Sequence, residues 1–454
     1  MKPLVRRLAT VGAALGLATG SAAAPAWADE GVEVRRVLTV MVNFQDSRLD
    51  DPDAQRALAE RTYFGKSGSM SAYYAQVSLG RARFVPATDT PVLGPFDLPM
   101  NGAGCKNAEI HDRTAEALKA RGIDPDDYEH LSIVFPDQVS KCPWAGLGTV
   151  GGGKTWMPHW ALDTPDALIH EIGHNLGFPH HARLRCTPGK GLSACAQDGH
   201  SGKTPMGAGG AKAGMTAAEL LHRGWVTAAE RATVTEPGVF TLRTLYSRGP
   251  GLRVLEVPLA DGERALVELR GPSGALDTAV AGVHLYRVTD GRYDKSALVD
   301  FTEQDASKSA PSADALPAGA VVLDPGRGIS LQVEDRDATT ATVTVRFAGK
   351  PEPAGREAAG GGHAPGTAAP STKAAATGGE PTAGPGPASA PAADPGVAGA
   401  GEPSQPLLAD SGAGDGKGLL ASLGAGLLAV GGGVLFAVRR RRAAATGAAG
   451  TGRG

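Results

Sequence analysis

Five of the eleven histidines fall between His159 and His181, and three of them keep a spacing that can do chemistry. The chain there reads His170-Glu171-Ile172-Gly173-His174-Asn175-Leu176-Gly177-Phe178-Pro179-His180. On a helix, residues four apart share a face, so the imidazoles of His170 and His174 can reach one ion. Gly177 can take a positive φ, end the helix and turn the chain back, which brings His180 round as a third ligand. Three neutral imidazoles leave a fourth tetrahedral position open to water, the arrangement of catalytic rather than structural Zn2+. Zinc lowers the pKa of its water toward about 7 and polarises a carbonyl. Glu171, beside the first ligand, is placed to take the water's proton and pass it to a leaving amine. The chemistry implied is amide hydrolysis, with His170, His174 and His180 on the metal and Glu171 as general base. His181 is expected to point away from the ion, and His159 and His200 are assigned no metal role.

These residues need a scaffold. Thr164 as cap and Pro165 in the first turn predict where the motif's helix starts. Upstream, Val34–Phe44 and Leu131–Phe135 read as strands, and Asp53–Arg61, Ser69–Ser78 and Asn107–Arg121 as helices. That alternation predicts an α/β (α+β) domain over residues 29–229. The Gly-rich run Gly146–Gly153, after Trp144, reads as a flexible, solvated loop. It is no phosphate loop, since no Gly-x-x-x-x-Gly-Lys joins a strand to a helix there. After Trp225 the rhythm becomes short runs with partial period-2 alternation: Val239–Leu245, Leu252–Pro258, Ala265–Leu269, Val283–Val288, Ile329–Val333 and Ala341–Phe347. Turn signals such as Asp261-Gly262 and Asp324-Pro325-Gly326 separate them, so residues 230–347 are expected to form an all-β, sandwich-like domain.

The spacing His-Glu-x-x-His-x-x-Gly-x-x-His resembles that of the metzincin metalloendopeptidases. The resemblance implies a Met-containing turn beneath the metal, for which Met206, followed by Gly207, is the first candidate and Met215 the second. It also implies a strand that pairs with substrate just before the motif helix, where Gly146–Gly153 lies. Some metzincins use a Tyr near the metal, and none follows Met206 closely. More narrowly, the chain resembles the gametolysin-like peptidases. The Met-Gly pair is followed by a segment ending in Gly-Trp, Leu220-Leu221-His222-Arg223-Gly224-Trp225, and Tyr73-Tyr74-Ala75-Gln76-Val77-Ser78-Leu79-Gly80 with Gly94-Pro95-Phe96 is similar to that family's N-terminal segment. The likeness runs from about Val34 to Val226.

The two ends carry addresses rather than chemistry. Residues 1–28 combine Lys2, Arg6 and Arg7, an apolar stretch from Leu8 to Leu17, and Ala26-Trp27-Ala28, the pattern of a secretory signal cleaved before Asp29. Leu419–Val438 holds 20 residues without a charge and is followed by Arg439–Arg442, so residues 418–438 are expected to cross a membrane with the tail 439–454 in the cytoplasm. Leu408-Ala409-Asp410-Ser411-Gly412 is similar to the Leu-(Pro/Ala)-x-Thr-Gly sorting signal of Gram-positive surface proteins, with Ser411 in place of Thr. That resemblance implies a sortase-type transpeptidase and peptidoglycan as partners. Between body and anchor, 46 of the 70 residues in Ala348–Lys417 are Gly, Pro or Ala, too few apolar groups to offset chain entropy, and a disordered spacer is expected. An even count of cysteines in an exported chain implies two disulfides. Three pairings of Cys105, Cys142, Cys186 and Cys195 are open. Cys186–Cys195, which closes a short loop, with Cys105–Cys142 is favoured.

With 45 basic and 47 acidic side chains the net charge is −2, without the basic excess of a nucleic-acid binder. The expected protein is therefore an exported, surface-anchored zinc endopeptidase acting on extracellular protein or peptide, held at the cell wall or plasma membrane of a Gram-positive-type cell. Two other readings stand beside it: a surface binding or adhesion protein with a structural zinc site, and a zinc amidase acting on cell-wall peptides.

Overall fold

The computed structural model describes residues 31–192, 194–302, 314–353 and 408–410. Among the described residues the fold is a mixed α/β arrangement of three sheets and five α-helices. In the first sheet, β1 (Glu33–Asn43) pairs in parallel with β2 (Ala82–Pro86) and β3 (Val92–Asp97) on one side and with β4 (His130–Phe135) on the other. The last seven residues of β1 and all six of β4 are buried, as expected of parallel strands covered on both faces. Beyond β4 the order continues to β6 (Lys154–Pro158), which is parallel, and to β5 (Leu147–Thr149), which is antiparallel. The short strand β18 (Leu408–Asp410) lies outermost, against β5.

Local chemistry starts most of the helices. Asp51 Oδ1 accepts the Ala54 N–H at 3.1 Å ahead of α1 (Pro52–Phe64), and Ser69 Oγ accepts the Ala72 N–H at 3.1 Å ahead of α2 (Met70–Val77), each satisfying an orphan donor of a first turn. The third helix, α3 (Asn107–Lys119), covers the first sheet's outer face, where Ile110 and Leu118 join Val40, Val42 and Leu131 in one apolar cluster. Helix α4 (Asp166–Asn175) carries the motif, and α5 (Ala217–His222) opens on a reciprocal Thr216–Glu219 capping box. Thr164 does not cap α4: Pro165 holds that position with no side-chain cap bond, and Asp166 Oδ1 instead accepts the Ala211 N–H at 2.7 Å.

The second sheet takes the order β8 (Cys195–His200), β7 (Ala182–Cys186), β14 (Ser296–Asp300), β13 (Gly282–Val288), β12 (Arg264–Arg270), β11 (Val254–Pro258), β9 (Arg231–Thr233). It faces a third sheet of β10 (Gly238–Arg243), β17 (Thr340–Phe347), β16 (Ile329–Arg336) and β15 (Val321–Asp324). Alternation along the second sheet feeds two cores. Leu255, Val267 and Leu285 pack toward Leu242, Val333 and Val343 of the third sheet. Val254, Leu266 and Tyr286 pack the other way, into one cluster with Met41, Tyr74, Ile172 and Met206. The strands after the motif, β7 and β8, thus join a sheet built mainly from the C-terminal half, with β7 parallel to β14.

The disulfides are Cys105–Cys142 and Cys186–Cys195. Among the described residues no helix is long and apolar enough to cross a membrane. The signal segment 1–28, the span 418–438 and the tail 439–454 lie outside the described residues, as do Ser411, Gly412 and most of the spacer.

Candidate metal centre

The motif helix ends as the sequence requires. Gly177 takes φ +94°, its N–H bonds the His174 carbonyl at 2.8 Å, and the Phe178 N–H reaches back to the Gly173 carbonyl at 3.2 Å. This paired closure around a left-handed residue satisfies the last carbonyls of α4 and reverses the chain. The reversal brings His180 to the two helical histidines: ring centroids are 4.6 Å apart for His170 and His174, 5.1 Å for His170 and His180, and 5.0 Å for His174 and His180.

Backbone carbonyls aim the helical rings. His170 Nδ1–H donates to the Pro205 carbonyl at 2.6 Å, and His174 Nδ1–H donates to the Phe178 carbonyl at 2.7 Å. A carbonyl only accepts, so each ring keeps its proton on Nδ1 and turns the Nε2 lone pair inward. His174 is fully buried, and among the described residues its Nε2 has no hydrogen-bond partner. His170 Nε2 faces His180 Nε2 at 3.2 Å. Two nitrogens bound to one tetrahedral zinc at about 2.0 Å would stand about 3.3 Å apart. Burial holds His170 down at about 4 and His174 at about 2, against the carbonyl bonds that favour their protonated forms. Both imidazoles are therefore neutral at neutral pH, as ligands must be. Among the described residues, His170, His174 and His180 form a group able to hold a metal ion, and a divalent cation fits the orphaned Nε2 and the converging nitrogens.

Glu171 is wholly buried beside them. A Cβ added to Gly146 would lie 2.6 Å from Glu171 Cγ, and one added to Gly148 would lie 2.7 Å from the Glu171 carbonyl oxygen and 2.9 Å from its Oε2. Gly146, just before β5, and Gly148 within it thus let the sheet edge close directly onto the carboxyl group. Of the two readings open for Gly146–Gly153, residues 147–149 are a strand. Asn175 fixes the fit: its Nδ2 donates to the carbonyls of Thr149 (3.1 Å) and Lys154 (2.9 Å), and its Oδ1 lies 3.2 Å from His130 Nδ1. The Tyr74 hydroxyl adds a bond to the Ile169 carbonyl at 2.6 Å.

Met206 lies under this helix. It is fully buried, and a Cβ on Gly173 would collide with its Sδ. The Met206 carbonyl accepts the His181 N–H at 2.7 Å, and the Thr204 hydroxyl, which accepts the Met206 N–H at 3.2 Å, donates to Glu219 Oε1 at 2.9 Å. Met215 is buried one layer away, its sulfur 3.7 Å from the Thr204 hydroxyl. His181 faces Ser296, with Nε2 3.0 Å from its Oγ, as expected of a non-ligand. His200, assigned no metal role, is exposed. It lies on β8 with its ring 5.5 Å from that of His180, outside the ligand group yet beside it. Histidine spacing could not show this, because the placement depends on the hairpin stapled by Cys186–Cys195. The glycines at 146 and 148 did carry a signal: two glycines at period two clear one face of a strand for a close neighbour.

Comparison with known proteins is uneven. No curated protein matches the chain. A solved structure described as a chaperone–substrate complex shares 13% identity over 41% of this chain and 32% of its own length, with a TM-score of 0.23, a likeness too slight to bear on fold. The chain thus spans about a third of that structure's length. Residues 61–249 match the family model described as gametolysin peptidase M11. That stretch contains α4, all three imidazoles and Met206, and its likeness to the gametolysin family supports a metallopeptidase.

Proposed function

We propose that the protein is an exported, surface-tethered zinc endopeptidase of metzincin type that hydrolyses extracellular protein. The single observation that carries this is the convergence of three imidazole nitrogens beside a buried glutamate that follows the first of them. When bound, zinc would polarise the scissile carbonyl and acidify the attacking water. The chain's own residues do the rest. His170 and His174 hold their lone pairs inward through the carbonyls of Pro205 and Phe178. Glu171 takes one proton from water as the hydroxide adds to the amide carbon, then gives it to the departing nitrogen, so that amide and water become acid and amine. The glycine-lined β5 sets an extended peptide alongside that carboxylate. Export and tethering rest on the segment 1–28, the motif at 408–412 and the span at 418–438, with a sortase-type transpeptidase and peptidoglycan as partners at the C-terminus. Glu171→Ala is the test: the variant should keep one zinc per chain by elemental analysis and lose peptide hydrolysis, and full activity would end the mechanism.

A further inference from the structure

We propose that the chain's own segment Leu408–Asp410 takes the outer edge of β5 in cis, in competition with the peptide that the proposed function sets along that strand. The competition rests on the peptidase reading; the docking does not. β18 runs antiparallel to β5, with Leu408 opposite Thr149, Ala409 opposite Gly148 and Asp410 opposite Leu147. The inner side of β5 is already taken by β6, so β18 uses the side at which the sheet would otherwise end. An open strand edge accepts a further strand through backbone bonds and asks little of its sequence.

This edge is not remote from the chemistry. The central docking position, Gly148, is the residue whose added Cβ would meet the Glu171 carbonyl at 2.7 Å, Glu171 Oε2 at 2.9 Å and His174 Cβ at 3.1 Å. A peptide paired there must pass the buried glutamate and the second imidazole, along the path a substrate would need. Three residues make few bonds, and in free solution such a peptide would bind poorly. The segment is tethered, however: residues 354–407 join it to Pro353, at the end of the third sheet's last strand and its following turn. Being on the same chain, the segment docks in an intramolecular step whose effective concentration does not fall on dilution.

In an antiparallel ladder alternate residues turn both N–H and C=O toward the partner. Either Ala409→Pro, or Leu408→Pro together with Asp410→Pro, therefore removes the N–H groups that β5 accepts. In the full chain carrying Glu171→Ala, which prevents self-cleavage, hydrogen exchange of amides 147–149 should be at least twofold faster in one of these two variants than in the parent. With Glu171 restored, the same variant should show at least a twofold lower KM for a fluorogenic peptide at unchanged kcat. Equal exchange in all three forms overturns the docking, and altered exchange with an unchanged KM overturns the competition. A chain that docks its tail by exchange but cuts no peptide removes the peptidase reading and leaves the docking standing.

Discussion

Gly148→Ala is the smallest change that tests how β5 serves the metal centre. The added methyl would lie 2.7 Å from the Glu171 carbonyl oxygen, 2.9 Å from Glu171 Oε2 and 3.1 Å from His174 Cβ. The first of these atoms is backbone and cannot rotate away. Restoring ordinary contact means parting β5 from α4 by roughly 0.8 Å, because carbon contacts settle near 3.5–4.0 Å. Asn175 resists that movement through its bonds to Thr149 and Lys154. Overpacking of this kind costs about 1–3 kcal/mol. Glu171 would be displaced relative to a peptide on β5, and a misplacement of this order costs about 10- to 100-fold in rate, equivalent to about 1.4–2.8 kcal/mol. Gly202→Ala is the control, since nothing lies within 4 Å of its added methyl. The assay is kcat/KM on a fluorogenic peptide with zinc content and urea midpoint measured on the same samples. Wild-type kcat/KM and midpoint in Gly148→Ala would refute the claim that β5 is pressed against the Glu171 carboxylate.

Two further predictions concern what lies beneath the metal. Burial pushes Glu219 up from 4.5 to about 7, against the hydrogen bonds from Thr216 and Thr204 that favour its ionised form. A raised native pKa means the folded protein holds the proton more tightly than the unfolded chain, so this group lowers stability as pH rises from about 4.5 to about 7, by about 3 kcal/mol in full. Urea unfolding at fixed zinc should show Glu219→Gln gaining on wild type between pH 5 and pH 8, and parallel curves would refute the shift. Arg270 is fully buried, paired with Glu268 at 3.0 Å and Asp277 at 2.6 Å, and donates to the carbonyls of Lys203 and Gly214, each at 3.0 Å. Arg270→Met should cost about 3–5 kcal/mol by stranding two buried carboxylates and should weaken zinc binding, read by urea midpoint and zinc titration; unchanged values would refute the role given to this arginine.

How much of this was legible in the sequence depended on range. The imidazole spacing, the turn at Gly177 and the buried runs of β1 and β4 follow from helix period, glycine conformation and apolar continuity, all local properties. Asn175 shows the opposite case. Within the motif it is an ordinary polar residue, and its role appears only when the carbonyls of Thr149 and Lys154 lie across from it. Strands β7 and β8 escaped notice because ARLRC and CAQDGH carry charge and little alternation. They are held by pairing with β14, by the Cys186–Cys195 bond and by Arg183, which pairs with Asp198 and lies 3.5 Å from Asp300. His200 rides on that hairpin, so its place beside His180 was equally invisible.

The C-terminal strands have a structural duty that their lack of reactive side chains conceals. The loop from Ser201 to Met215 supplies the Pro205 carbonyl that orients His170 and the methionine that underlies α4. That loop contains one short 3-10 turn and no strand of its own. Its conformation is imposed from outside: Arg270 on β12 binds the carbonyls of Lys203 and Gly214, Asp277 accepts the Gly214 N–H at 2.8 Å, and the Tyr246 hydroxyl donates to the Met215 carbonyl. Glu268, next to Arg270 on the same face of β12, accepts the Ala217 N–H at 2.6 Å and so sets the start of α5. Each of these partners lies beyond residue 240, while each group they hold lies within fifteen residues of Met206. A metal site gains precision when its supporting shell is rigid. Here the rigidity of a loop near the ligands comes from a sheet that contributes no ligand, which is why the imidazoles and the β strands cannot be understood as independent parts.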